Sequence, residues 1–108
     1  MARYAIFFSF KGESVKAMME NPVDRAAAAT EIVEAAGGKM ECYYIMFGAR
    51  DGICIAELPD SNAAAAVSLK VSSSGAFSHV ETHELKTAEE FADALRAGSG
   101  LTYTPPGT

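Results

Sequence analysis

No apolar stretch in this chain reaches the length needed to span a membrane, and the start, Met1-Ala2-Arg3-Tyr4, runs straight into a strand pattern without a charged-then-apolar leader. A soluble cytoplasmic protein with no membrane partner is therefore expected. Basic residues are scarce as well. Nine Lys and Arg stand against 14 Asp and Glu, a net charge of -5, so there is no basic face to supply the electrostatic attraction that dominates nucleic-acid binding. Nucleic acid is excluded as an expected partner. Glycine-rich phosphate loops are missing too, since Lys11-Gly12-Glu13-Ser14 is too short for a Walker cradle, and no Ser/His/Asp arrangement or paired cysteine ligand set occurs.

There are only two cysteines, Cys42 and Cys54. If they flank a hairpin turning about Gly48 to Gly52, facing positions sum to about 100, which sets Cys54 opposite Met46. Cys42 then lies roughly 13 Å away along its strand, beyond disulfide reach. Two buried thiols in a reducing compartment are expected.

What remains is ample material for one core. The chain has 108 residues, of which 49% are hydrophobic and 21% charged, values that fit a single folded domain and not a disordered chain. Tyr4 to Phe10 is a short aromatic and β-branched run and reads as a central strand buried on both faces. Glu13 to Ala36 has helical spacing interrupted at Asn21-Pro22. Asn21 is expected to cap, and Pro22 to open, the alanine-rich second part, which Gly37-Gly38 ends. Lys39 to Phe47 and Ile53 to Leu58 read as two strands of a hairpin, the first with Met40, Cys42, Tyr44 and Met46 on one face. Asn62 to Val71 reads as a second alanine-rich helix after Pro59-Asp60-Ser61, and Phe77 to Leu85 alternates as a fourth strand. Thr87-Ala88-Glu89-Glu90 has the spacing of a capping box and starts a C-terminal helix ending at Gly98. Residues 1–98 form the expected domain, with 99–108 as a tail.

The order β-α-β-β-α-β is the ferredoxin-like pattern: an α+β fold in which right-handed crossovers place two helices on one face of a four-stranded antiparallel sheet. Both sides of the first strand are largely apolar, so the second sheet face calls for a cover, and a second copy of the chain is the simplest one. With this strand, alanine-rich helix, Gly-Gly, hairpin and second alanine-rich helix, the chain resembles the GYD domain family of the dimeric α/β-barrel superfamily over roughly residues 2 to 97. The family's Gly-x-Tyr-Asp motif stands here as Gly48-Ala49-Arg50-Asp51, with Arg50 in place of the tyrosine. Glu81-Thr82 matches the family's Glu-Thr pair. The resemblance implies a dimeric α/β barrel whose biochemical role is undefined.

The candidate pocket residues are His79, Glu81, His83, Arg50, Asp51 and Tyr44. His79, Glu81 and His83 share one face of the fourth strand because side chains two apart point the same way. Two imidazoles and a carboxylate are the chemistry of a metal site or an acid–base pair. The same alternation is also how the solvated side of an edge strand looks. Arg50 offers a planar fork of donors to a carboxylate, whereas Asp51 beside glycine fits ordinary turn chemistry. Tyr43 and Tyr44 point to opposite faces. Met18, Met19, Met40 and Met46 fit core gaps. Two functional classes follow. The first is a homo-oligomeric binding or accessory protein with a small-molecule ligand; the alternative is a metal-binding protein or small enzyme using His79, Glu81 and His83. No cofactor is named by the sequence.

Overall fold

The computed structural model describes residues 1–107. Its elements run β1 (Ala2–Phe10), α1 (Gly12–Glu20), α2 (Arg25–Ala35), β2 (Lys39–Ile45), β3 (Gly52–Leu58), α3 (Ser61–Ser73), β4 (Phe77–Leu85) and α4 (Ala88–Ser99). The strands form one antiparallel sheet in the order β2-β3-β1-β4. This is the ferredoxin-like α+β arrangement, with β1 central and β4 at an edge.

The two faces of the sheet differ sharply. β3 alternates strictly: Gly52, Cys54, Ala56 and Leu58 are buried, while Ile53, Ile55 and Glu57 are half-exposed. Through the strand register, Tyr4, Ile6 and Phe8 of β1 lie on the same side as that buried row. Over this side α2 packs on β2, and α3 packs on β3 and β4. Tyr4, Val33, Ala56, Leu58, Ala64 and Val67 form the core there. On the other side, Phe7, Ile53 and Ile55 stand half-exposed. β1 is thus central as its aromatic run implies, but the chain's own helices cover only one of its faces.

Four local expectations change. The helical interruption is complete, giving two helices, and the cap of the second is Asp24, whose carboxylate accepts from Ala27 N–H at 3.2 Å. Asn21 and Pro22 lie in the connection, because Asp24 places an acceptor on α2's free N–H groups without help from either. The hairpin register is also tighter than a sum of 100: Tyr44 faces Ile53 and Tyr43 faces Cys54. A bulge between Met40 and Cys42 moves these two residues to opposite faces, so Met40 faces Ala56 and Cys42 faces Ile55. Consequently Cys42 and Cys54 point to opposite sides of the sheet, and both are free. Burial pushes the Cys54 thiol up to about 11, and the thiol of Cys42 adds to the rise, so Cys54 stays protonated.

The capping box is present as spelled, with Thr87 accepting from Glu90 N–H and Glu90 accepting from Thr87 N–H. The helix it starts runs to Ser99. None of its residues is buried, and Phe91 and Leu95 are 59% and 57% exposed. Among the described residues no helix is long and apolar enough to cross a membrane.

Candidate functional site

The open side of the sheet gathers most of the candidate residues. In register, Phe7 faces Glu81, Ala5 faces His83 and Ser9 faces His79, so these three β4 side chains share the uncovered face with Phe7. The β4 residues between them behave oppositely: Thr82 bonds Ser68 of α3, and Val80 sits beneath the helices. The period of two places the histidines together, and the helices on the far side decide that they face outward.

Glu81 is the hub. Its Oε1 accepts from Arg50 Nε at 2.8 Å and from His79 Nε2 at 2.9 Å, and its Oε2 accepts from His83 Nε2 at 2.7 Å. Hydrogen bonds from His83, His79 and Arg50, in that order, hold the carboxyl down at about 2, against an ordinary 4.5. At neutral pH Glu81 is therefore an ionised group that can only accept. It follows that each bonded Nε2 carries a proton, and that each histidine's Nδ1 is the nitrogen left for another partner. The Phe7 ring meets His83 edge-on, with centroids 6.0 Å apart, and steadies that imidazole.

Arg50 arrives from the hairpin. Asp51 anchors the loop: its N–H donates to Phe8 O, its carbonyl accepts from Met46 N–H, and its Oδ2 accepts from Phe10 N–H, each at 2.8 Å. The aspartate acts across strands, so it fixes the loop to β1 instead of entering the cluster. Arg50, next in the chain, reaches over β1 to β4 and also donates to Ala49 O. The residue that replaces the motif tyrosine is thus the one that joins hairpin to fourth strand. Tyr44 shares the open face, since it pairs with Ile53, but stands on the opposite edge strand and is 65% exposed. Two strands separate it from Glu81.

Chemically, the arrangement is a carboxylate that orients two imidazoles and is itself neutralised by arginine. Each His–Glu pair has the geometry that sets an imidazole tautomer for proton transfer or for hydrogen bonding to a ligand. Among the described residues no three His, Cys, Asp or Glu side chains are placed to hold an ion.

A depressed carboxyl pKa gives a defined acid response. The stabilisation contributed by ionised Glu81 is fully present above its ordinary value of 4.5 and is lost as pH falls through about 2. Thermal unfolding of the native chain and of Glu81→Gln, followed from pH 6 to pH 2, is expected to show a gap that narrows below pH 4.5 and closes near pH 2. A constant gap would mean that the Glu81 charge contributes nothing.

Sequence reasoning did not find a second feature, a cavity of about 300 Å³ on the helix side of the sheet whose lining includes Arg25. Its only sequence signal is one cation at the start of an alanine-rich helix.

The solved structure of MupZ from Pseudomonas fluorescens is similar at 15% identity, covering 99% of this chain and 97% of that one with a TM-score of 0.42. No curated protein matches the chain. The GYD domain matches residues 4–95, from the central strand through most of the last helix and including the Gly48 to Asp51 loop. Over that span the chain is a member of the GYD domain family.

Proposed function

We propose that the chain is a homo-oligomeric small-molecule-binding protein whose polar site is the Arg50–Glu81–His79–His83 cluster, closed over by a second copy across the open sheet face. The observation that carries this reading is the Glu81 carboxylate, fixed by three donors from two elements beside Phe7 on the uncovered sheet face. Isolated surface ion pairs contribute little and rarely hold three partners at once. A network that presets two imidazoles beside Phe7 is suited to a ligand with an apolar body and a hydroxyl or enol that meets a histidine Nδ1. The hairpin adds contact surface, because Tyr44 is 65% and Phe47 99% exposed. A two-fold pairing of identical faces is the commonest way for such a surface to be covered.

Three measurements on the purified chain test it. Sedimentation at micromolar concentration is expected to give at least twice the 11.4 kDa of one chain. Nitrogen-15 spectra of the imidazoles are expected to show both histidines protonated at Nε2 at pH 8, a preference lost in Glu81→Gln. Metal analysis is expected to give far less than one ion per chain. A monomeric mass or freely exchanging tautomers would sink the proposal, and stoichiometric metal that disappears in His83→Ala would replace it with the metal-binding alternative.

A further inference from the structure

On the helix side of the sheet, α2 packs on β2 and α3 on β4, and between them a cavity of about 300 Å³ descends to β1 and β3. That volume is at the lower end of the range for small-molecule sites. Its floor is apolar and buried: Ile6, Phe8, Val33, Cys54 and Val67. Its mouth holds Ala28, Lys70 and Ser74, which are exposed. Arg25, the first residue of α2, also lines it, half-buried and near enough to the Tyr43 hydroxyl to affect its acidity.

The charge balance of this cavity opposes that of the chain. The protein has an excess of acidic residues, yet the cavity lining contains two cations and no Asp or Glu. Moreover, Arg25 Nε is buried with no hydrogen-bond partner among the described residues. A buried donor left unpaired is costly, and native structures rarely retain one without a reason. The donors of a guanidinium lie in one plane and match the two oxygens of a carboxylate. A dianionic phosphate would call for more donors than this apolar wall provides.

We infer that the cavity between α2, α3 and the sheet is a binding site for a small apolar monocarboxylic acid, its hydrocarbon body on Ile6, Phe8, Val33 and Val67 and its carboxylate on Arg25. Tyr43 flanks that head group. The site lies on the opposite side of the sheet from Glu81 and does not depend on the open-face reading. Because the floor is buried and the cations lie toward the mouth, the acid enters tail first.

Octanoate is the probe, with octan-1-ol as its uncharged counterpart, titrated calorimetrically into the full chain. Octanoate is expected to bind at least about tenfold more tightly than the alcohol, the ratio expected of one charge-assisted hydrogen bond. Arg25→Gln, which keeps the helix start, is expected to abolish that ratio while leaving the circular dichroism spectrum unchanged. Ala29→Leu, which fills the cavity from α2, is expected to weaken both probes. Equal binding of acid and alcohol by the native chain overturns the assignment, as does a ratio that survives Arg25→Gln or octanoate binding that Ala29→Leu leaves intact. Absence of octanoate binding up to millimolar concentration overturns it as well.

Discussion

Leu58→Ala is expected to lower the unfolding free energy by about 3 to 4 kcal/mol, in the middle of the range for such truncations. Leu58 is 0% exposed, and with Val33 it is one of the two largest fully buried side chains. What surrounds it decides the magnitude. The neighbouring core residues Ala56 and Ala64 are too short to reach into the space, and Gly38 presses its backbone against the same point: a Cβ at Gly38 would lie 2.7 Å from Leu58 Cδ2 and 2.2 Å from the Glu57 carbonyl. The backbone and alanines on this side cannot move in, so Val33 and the other large neighbours fill the space only in part and a cavity remains. A loss of this size is a large part of the 5 to 15 kcal/mol, roughly, that holds a domain of this class folded. Urea unfolding at one fixed protein concentration measures it, since an oligomer's stability depends on concentration. Leu69→Ala, at a position 70% exposed in α3, is the comparison and is expected to change stability by no more than about 0.5 kcal/mol. Similar losses in the two variants would mean that the core is not centred on Leu58.

That core was only partly visible in the sequence. The alternation of Phe77 to Leu85 and the Thr87–Glu90 capping box are local patterns, and they survive folding as written because nothing distant competes with them. The hairpin register is different. It depends on Asp51 bonding to Phe8 and Phe10, residues some forty positions away, and no count of turn residues can register that anchor. The bulge at Met40 to Cys42 likewise reverses which face the next residues occupy, a one-residue event with no distinctive spelling.

The candidate site shows the same division. A period of two places His79, Glu81 and His83 on one face, but both faces of β1 are apolar, so the side on which they fall depends on where the helices pack. Arg50 reads as a fork of donors with no named partner until the loop is fixed against β1, and then it is within reach of Glu81. Arg25 has no sequence context beyond an alanine-rich helix. The cavity it lines arises from the separation of α2 and α3, which is a property of tertiary packing alone.

Ile55→Asp is expected to convert the proposed oligomer to a monomer at micromolar concentration, weakening self-association by roughly a hundredfold or more. Ile55 lies opposite Ala5 on the open face, in the middle of the sheet, and is half-exposed in the single chain. Its substitution therefore leaves the helix-side core untouched. Within a paired sheet the new carboxylate has no partner close by, because Arg3 is already committed to Glu41 at 2.6 Å and to Glu57 at 3.1 Å, and Arg50 to Glu81. Burying an unpaired charge costs several kcal/mol in this setting, which is what dissociates the copies. Phe91→Asp serves as the comparison. It places the same charge on α4, where Phe91 is 59% exposed and no residue is buried, so it is expected to leave the mass unchanged if the sheet face is the contact. The opposite pattern, with Ile55→Asp still oligomeric and Phe91→Asp monomeric, would move the interface to the last helix. Glu81 and its histidines would then face solvent, and the reading that a second copy closes their site would fall with the interface.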